Sequence, residues 1–135
     1  MKSYLNHIQI NIDPAARPFY KELFFLLGWS VLYEDEEVIG YGSSEKGSVW
    51  LVVTPGKGSS DYDQIGVNHV GLGVGEQGDV DAVAGFLKER NIPALFDTPR
   101  HRKEFAASES ETYYQVMFES PDKVLLEVVY IGPRA

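Results

Sequence analysis

Cysteine is absent from this chain of 135 residues. That absence excludes zinc ribbons, thiol nucleophiles and disulfide scaffolds. The chain also lacks any apolar run near the roughly 20 residues of a membrane span, and its opening, MKSYLNHIQI, lacks the apolar core of a signal peptide. A formal net charge of −8 without a basic stripe disfavours nucleic acid. We therefore expect a soluble cytoplasmic protein that acts on a small molecule, with no nucleic-acid or membrane partner.

One short segment of the chain occurs twice. NHIQINI at residues 6–12 returns as NHVGLGV at residues 68–74, and in each copy an Asn-His pair leads into apolar residues at every second position. Strict alternation of this kind is typical of a strand with one buried face. The repeat predicts two similar modules, one over about residues 1–55 and one over about 66–132, within a single domain of residues 1–135.

Signals for helices follow both copies of the strand. Asp13 and Pro14 predict a helix start, and Gly28 predicts its end. In the second module Asp79 is the expected cap of a helix that runs through Asn91. Three strand-like segments come after each helix, so strands and helices do not alternate as a doubly wound parallel sheet requires. We expect an α+β fold made of two tandem βαβββ modules that form a curved mixed sheet.

Two histidines and one carboxylate stand at unusual places in this pattern. His7 and His69 occupy equivalent positions of the repeat and lie on the strand face opposite the apolar residues. Glu127 interrupts the otherwise apolar final strand, VLLEVVYI, where an unpaired buried carboxylate is costly. Two imidazoles and a carboxylate with open positions form the facial triad that holds divalent iron and related metals. The alternative is that both histidines are hydrogen-bonded structural residues of a metal-free protein.

A second motif points to a different ligand. GVGEQG follows the second strand and precedes a helix, and Asp97 lies about twenty residues further on, as a dinucleotide site requires. The chain has only two predicted helices and no crossover helices between its later strands, which disfavours that site. Gly71 and Gly73 share the predicted face of His69 instead, where the lack of side chains leaves room for a ligand.

The second module is longer than the first. Aligning SVWLVV with VLLEVV sets Leu51 opposite Glu127 and assigns the extra residues to segment 98–113, which we expect to be a long surface loop. Its basic residues, Arg100, His101, Arg102 and Lys103, suit a mobile lid that clamps an anionic substrate or relays a proton. The alternative is a solvated loop with no part in function.

Several segments together resemble the vicinal oxygen chelate (VOC) superfamily, which includes glyoxalases, extradiol dioxygenases, fosfomycin-resistance transferases and bleomycin-binding proteins. The resemblance covers nearly the whole chain. LNHIQINI is similar to the opening strand of that family, VNHVGLGV to its central strand, and FESPDKVLLEVV to its closing turn and strand with a glutamate. It implies the glyoxalase/bleomycin resistance/dioxygenase fold and a homodimer.

The resemblance also implies a metal centre and a reaction class. It makes His7, His69 and Glu127 the ligands of a divalent ion, with Fe²⁺ or Mn²⁺ favoured and Zn²⁺ or Ni²⁺ as the other candidates. Leu51 stands where glyoxalase I has a fourth ligand, so the set of three resembles extradiol dioxygenases and fosfomycin transferases. We favour a dioxygenase-like reaction, with Glu127 and His101 as the catalytic residues. The alternatives are a metal-free protein of the bleomycin-binding type, a fosfomycin-type transferase and a lyase.

Side chains beside the expected metal ions are the candidates for substrate binding. On the face of the two histidines they are Gln9, Asn11 and Trp50, and the basic segment adds Arg100. Leu51→Glu is expected to create the missing fourth ligand.

Overall fold

A computed structural model describes residues 1–135 and divides them into two compact units, Met1–Ser59 and Ser60–Ala135. Each unit contains one copy of the repeated strand and one four-stranded sheet. None of the helices has both the length and the apolar character needed to cross a membrane.

The first unit has the order strand, helix and three strands. Its elements are β1 (His7–Ile12), α1 (Arg17–Leu26), β2 (Ser30–Glu34), β3 (Val38–Gly42) and β4 (Ser48–Val53). The strands lie in the order β1-β4-β3-β2, where β1 is parallel to β4 and the other pairs are antiparallel. The sheet is therefore mixed, as the sequence predicts.

Local signals set the limits of α1. Asp13 accepts a hydrogen bond from the backbone N–H of Ala15 at 2.8 Å and caps a 3-10 turn, which leads into the helix at Arg17. Gly28 follows the helix with φ of +73°, a conformation that glycine adopts without strain. The helix packs on one face of the sheet, where the rings of Phe24 and Tyr41 stack with centroids 4.5 Å apart.

The second unit repeats this order. Its elements are β5 (Val70–Val74), α2 (Gln77–Glu89), β6 (Leu95–His101), β7 (Glu111–Glu119) and β8 (Leu125–Pro133). The strands lie in the order β5-β8-β7-β6, and again only the first pair is parallel.

The start of α2 differs in detail from the prediction. Glu76, not Asp79, is the N-cap residue, and the Asp79 side chain accepts a hydrogen bond from the Glu76 backbone N–H at 3.0 Å. The two residues thus form a capping box. Val80, Val83 and Leu87 are buried on the inner face of the helix, as their spacing predicts.

The predicted loop over residues 98–113 is too long. Residues 98–101 belong to β6 and residues 111–113 to β7, so the connection is only 102–110 and contains one 3-10 turn, Lys103–Phe105. β6 keeps its place in spite of Pro99 because the Thr98 hydroxyl accepts a hydrogen bond from the Met117 backbone N–H at 2.9 Å. This side-chain bond bridges the irregular pairing around residues 96–99.

The strand register also corrects the position equivalent to Glu127. Gly71 of β5 pairs with Glu127, whereas Gln9, at the same place in β1, pairs with Trp50. Trp50, not Leu51, is therefore the counterpart of Glu127. Leu51 pairs with Ile10 and is fully buried, so a glutamate at position 51 would point into the apolar core.

The chain thus consists of two tandem βαβββ modules with mixed four-stranded sheets, which confirms the predicted fold class. In each module the helix packs on one sheet face, and the histidine of the repeat is on the other, which we call the polar face of that module. Gln9 and Trp50 lie on the first polar face, and Gly71 and Glu127 lie on the second.

Candidate active site

The first polar face carries a row of exposed hydrogen-bonding side chains along β1. His7 begins the row, and its Nδ1 lies 2.7 Å from Oδ1 of Asn6. Gln9 follows and donates from Nε2 to Oδ1 of Asn11 at 3.0 Å. The bond from Asn6 to Nδ1 leaves Nε2 of His7 as the nitrogen that can bind a ligand.

Trp50 provides an aromatic surface beside this row. A methyl group added at Gly40 would lie 2.5–2.7 Å from three atoms of the Trp50 ring, so the indole lies flat over the glycine. Its Nε1 donates to the Ser48 hydroxyl at 3.0 Å. Gly40 is therefore required by the packing of Trp50, and the half-buried indole keeps an exposed side next to Gln9.

The second polar face brings two of the predicted metal ligands into direct contact. Nε2 of His69 lies 3.0 Å from Oε2 of Glu127. The Glu127 side chain is only 4% exposed, whereas that of His69 is 37% exposed. His69 directly precedes β5, and Glu127 lies in β8, the strand that is parallel to β5.

The hydrogen bonds of His69 determine what its second nitrogen can do. Asn68 donates from Nδ2 to the backbone carbonyl of Tyr62 at 3.0 Å, which turns its Oδ1 towards His69. That oxygen lies 2.8 Å from Nδ1 of His69, and because an amide oxygen only accepts, Nδ1 carries the hydrogen. Neutral His69 therefore has a lone pair on Nε2, directed at a carboxylate oxygen that also only accepts. The contact requires a proton between the two atoms, on the imidazole or on the carboxyl group, or a cation that both atoms bind.

Glu127 is held by two more donors from β7. Tyr113 donates its hydroxyl hydrogen to Oε1 at 2.6 Å, and Gln115 donates from Nε2 to the same oxygen at 2.9 Å. Burial, followed by the hydrogen bond to Glu127, raises the pKa of Tyr113 to about 12, so this phenol stays protonated and donates. Such bonds offset part of the cost of burying the carboxylate.

Arg102 extends this network to the start of the connection between β6 and β7. It donates from one terminal nitrogen to Oε1 of Gln115 at 2.9 Å and from Nε to Glu104 at 2.6 Å. Its guanidinium also lies 4.7 Å from the centre of the Phe105 ring. The arginine is thus engaged in the site and does not belong to a free lid.

The structure places Arg100 and His101, two further basic residues of this segment, on opposite faces of the sheet. Arg100 pairs with Gln115 and is exposed on the second polar face, where it was expected to bind substrate. His101 pairs with Tyr114 on the opposite, helix-covered face, and its Nδ1 is hydrogen-bonded to the Thr112 hydroxyl. Strand alternation therefore directs the imidazole of His101 away from Glu127.

The donor set has the chemistry that a divalent metal requires. No group of three or more His, Asp or Glu side chains in the structure is arranged as a metal cluster. Within the second unit, Nε2 of His69 and Oε2 of Glu127 lie 3.0 Å apart, and the hydrogen bond that Nδ1 of His69 donates to Asn68 is the kind that fixes the tautomer of a metal-binding histidine. His7 has the same bond from Asn6 but lies in the first unit.

Three site residues were missed in the sequence. Tyr113 and Gln115 alternate along β7, but a tyrosine and a glutamine in a strand give no individual signal of function. Arg102 was singled out only as one member of a basic cluster. The pairing of Met117 with Glu127 identifies the first two, because it places residues 113 and 115 on the same sheet face as the carboxylate, and the hydrogen bond to Gln115 identifies Arg102.

No family model and no curated protein matches the sequence. Solved structures do match its fold. A candidate glyoxalase from Bacillus halodurans is 24% identical, with a TM-score of 0.73 over 93% of this chain and 94% of that one. A glyoxalase/dioxygenase from Nostoc punctiforme is 18% identical, with a TM-score of 0.69 over 96% and 91%. A lactoylglutathione lyase from Agrobacterium tumefaciens is 14% identical, with a TM-score of 0.59 over 96% and 94%. The chain therefore has the fold of these glyoxalase and glyoxalase/dioxygenase structures.

Proposed function

We propose that this protein is a metal-dependent enzyme of the VOC type that binds a small substrate through two neighbouring oxygens. The ligands would be Nε2 of His7, Nε2 of His69 and a carboxylate oxygen of Glu127. The observation that supports this most is the contact between His69 and Glu127, because Asn68 fixes the histidine tautomer whose Nε2 is a lone-pair donor. A divalent ion bound there would act as a Lewis acid towards the two substrate oxygens.

The residues around the pair have distinct tasks in this proposal. Asn6 and Asn68 hold the two histidines in the metal-binding tautomer. Tyr113 and Gln115 hold the carboxylate, and the high pKa of Tyr113 keeps its hydroxyl a donor rather than a base. Gly71 leaves the approach to Glu127 open, and Gln9, Asn11, Trp50 and Arg100 provide the substrate contacts.

A dioxygenase-like reaction on a substrate with vicinal oxygens agrees best with three protein ligands, and Fe²⁺ or Mn²⁺ is the metal we favour. Trp50 at the position equivalent to Glu127 cannot be a fourth ligand, in contrast to the four-ligand lyases. His101 is omitted from the catalytic set because it lies on the opposite sheet face. We also propose a homodimer in the cytoplasm, since β1, β2, β5 and β6 are all edge strands of their sheets.

A metal-free binding protein of the bleomycin-resistance type is the second candidate. It is favoured by the exposed indole of Trp50, which suits a planar ligand, and by the closeness of His69 and Glu127, which form a complete ion pair when the imidazole is doubly protonated. In that case His7 and His69 would be hydrogen-bonding residues of the binding surface.

Metal analysis of protein purified without a metal-affinity tag distinguishes these candidates. After reconstitution with Fe²⁺ or Mn²⁺ and gel filtration, the enzyme should retain about one equivalent of metal per chain. His7→Ala, His69→Ala and Glu127→Ala should each lose it, whereas His101→Ala is the matched control and should retain it. If the unchanged protein holds no metal after reconstitution, the enzyme proposal is wrong and the binding protein is favoured.

A further inference from the structure

We propose that Arg102 is a positioning residue that acts through Gln115 to leave Glu127 with one oxygen free for the metal. The inference rests on the proposed function, because it concerns how Glu127 binds a cation. Arg102 itself contacts neither His69 nor Glu127 in the structure; its partners are Gln115, Glu104 and Phe105.

The two oxygens of Glu127 have different surroundings. Oε1 accepts from both Tyr113 and Gln115, so its lone pairs are used. Oε2 faces only His69 among polar side chains, and a methyl group added at Gly71 would lie 3.7 Å from it. A cation that approaches from Gly71 therefore meets Oε2, and the carboxylate binds it through one oxygen.

This asymmetry depends on the orientation of the Gln115 amide. A glutamine side chain has a donor end and an acceptor end, and only the donor end can bond to a carboxylate. Arg102 donates to Oε1 of Gln115, which leaves Nε2 directed at Glu127. If the amide turned over, two oxygens would face each other at Glu127, and two donors would face each other at Arg102. The arginine thus excludes the wrong orientation of the amide.

Arg102 is itself held in place from three sides. Its Nε donates to Glu104, its guanidinium packs on Phe105, and its backbone N–H donates to the Tyr113 carbonyl at 2.7 Å. Phe105 in turn packs edge-on against the Tyr113 ring with centroids 5.3 Å apart. The first turn of the connection 102–110 is therefore a brace for Gln115 and Tyr113, the two donors to Glu127.

Without the arginine, the Gln115 amide is free to turn and the carboxylate loses one of its two donors at Oε1. Glu127 can then rotate and present both oxygens to a metal, or move away from His69. Removal of Arg102 should therefore weaken metal binding and change the ligand geometry, although the arginine is not a ligand. An arginine that merely stabilised the fold would change the unfolding transition and leave the geometry of the bound metal as it was.

The experiment is a titration of the purified protein with Co²⁺, whose visible absorption reports the number and geometry of its ligands. Arg102→Met should weaken Co²⁺ binding by about ten- to a hundredfold, the usual effect of removing a residue that orients a ligand, and should change the spectrum. Arg102→Lys keeps one donor for Gln115 and should restore most of the affinity. Gln115→Leu, which removes the amide itself, should reproduce the effect of Arg102→Met.

Arg90→Met is the matched control. Arg90 also donates to an amide-type oxygen, the Phe86 carbonyl, pairs with a glutamate and stacks on a phenylalanine, but it lies at the end of α2. It should bind Co²⁺ with the affinity and spectrum of the unchanged protein.

Two results would overturn the inference, and they have different meanings. If Arg102→Met and Gln115→Leu, both folded by circular dichroism, bind Co²⁺ with unchanged affinity and spectrum, Arg102 does not position Glu127 and the metal site stands. If the unchanged protein itself shows no saturable Co²⁺ binding, the proposed function fails and this role of Arg102 fails with it.

Discussion

At the scale of single residues, the buried carboxylate of Glu127 is the group to which the other side chains of the site bond. Three side chains bond to it: Tyr113 and Gln115 from β7, and His69 from the residue before β5. A carboxylate that is 3% exposed would be strongly destabilising without them. These bonds to one buried carboxylate support the metal site proposed above.

His101 provides a test at the same scale, through the pH dependence of stability. Burial, and then the charge of Arg134, lower the pKa of His101 below its ordinary value of 6.5, while Asp81 acts in the opposite direction. As pH falls, the unfolded chain takes up this proton first. The contribution of His101 to the free energy of unfolding is therefore complete above pH 6.5 and is lost as pH falls through the lowered pKa.

We predict that His101→Gln reduces the acid sensitivity of the metal-free protein. Between about pH 7.5 and about pH 5.5, the urea midpoint of the unchanged protein should fall more than that of the variant. The measurement is a series of urea denaturation curves at matched ionic strength. An equal or larger fall in the variant would mean that His101 binds its proton as readily in the folded state as in the unfolded one.

What the sequence predicts at this scale is that His69 and Glu127 belong to one site, His69 because of repeat symmetry and strand parity and Glu127 because it is a charge in an apolar strand. It does not predict Tyr113, Gln115 or Arg102. Their roles depend on the register between β7 and β8, which alternation alone leaves open. His101 was misplaced because Pro99 reads as the end of a strand, whereas β6 continues through it to His101.

At the scale of elements, the position equivalent to Glu127 shows that an alignment error of one residue moves the aligned side chain to the opposite face of the sheet. Aligning the apolar residues of SVWLVV and VLLEVV makes Leu51 the residue equivalent to Glu127. The register of the hydrogen-bonded strands makes it Trp50. The two side chains lie on opposite faces, since side chains alternate along a strand. Apolar composition cannot decide between the two positions, because tryptophan and leucine are both apolar residues and are neighbours in the strand.

A pair of variants tests this correction. Leu51→Glu should destabilise the protein by several kcal/mol, because it buries a carboxylate among apolar side chains. Trp50→Glu should fold and bind Co²⁺ or Zn²⁺ more tightly than the unchanged protein, because its carboxylate lies on the polar face of His7. Thermal unfolding and metal titration of both variants provide the comparison. A stable Leu51→Glu variant with tighter metal binding would restore the earlier assignment.

The connection between β6 and β7 shows that basic composition does not reveal the role of each arginine. Its basic composition predicts a mobile lid. Composition alone cannot distinguish an arginine that binds an anionic substrate from one that holds a neighbouring side chain in place. In the structure Arg102 has two acceptors and an aromatic partner, whereas Arg100 is exposed. A role in binding an anionic substrate therefore remains a proposal for Arg100 and not for Arg102.

At the scale of the whole molecule, the repeat predicts the architecture although no family model or curated protein matches the sequence. The order of one strand, one helix and three strands in each module depends on the spacing of apolar residues. Many different sequences have that spacing. The solved structures with this fold are 24% identical or less among those described above. Chemistry does not follow from such a fold, because the same scaffold supports different reactions.

The proposed metal centre draws its ligands from both units of the chain. His7 belongs to the first and the pair of His69 and Glu127 to the second. A cation held by these ligands would bind the folded protein and not the unfolded chain. The protein would then be stabilised by metal in proportion to the logarithm of its concentration above the dissociation constant.

The most direct measurement is anomalous X-ray diffraction at the cobalt edge, from crystals of the full chain grown with Co²⁺. We predict one anomalous peak per chain, about 2.0–2.2 Å from Nε2 of His7, Nε2 of His69 and Oε2 of Glu127, with Oε1 still bonded to Tyr113 and Gln115. The same map would show whether the three ligands come from one chain or two. A crystal in which His69 remains hydrogen-bonded to Glu127, with no peak between them, would contradict the central claim.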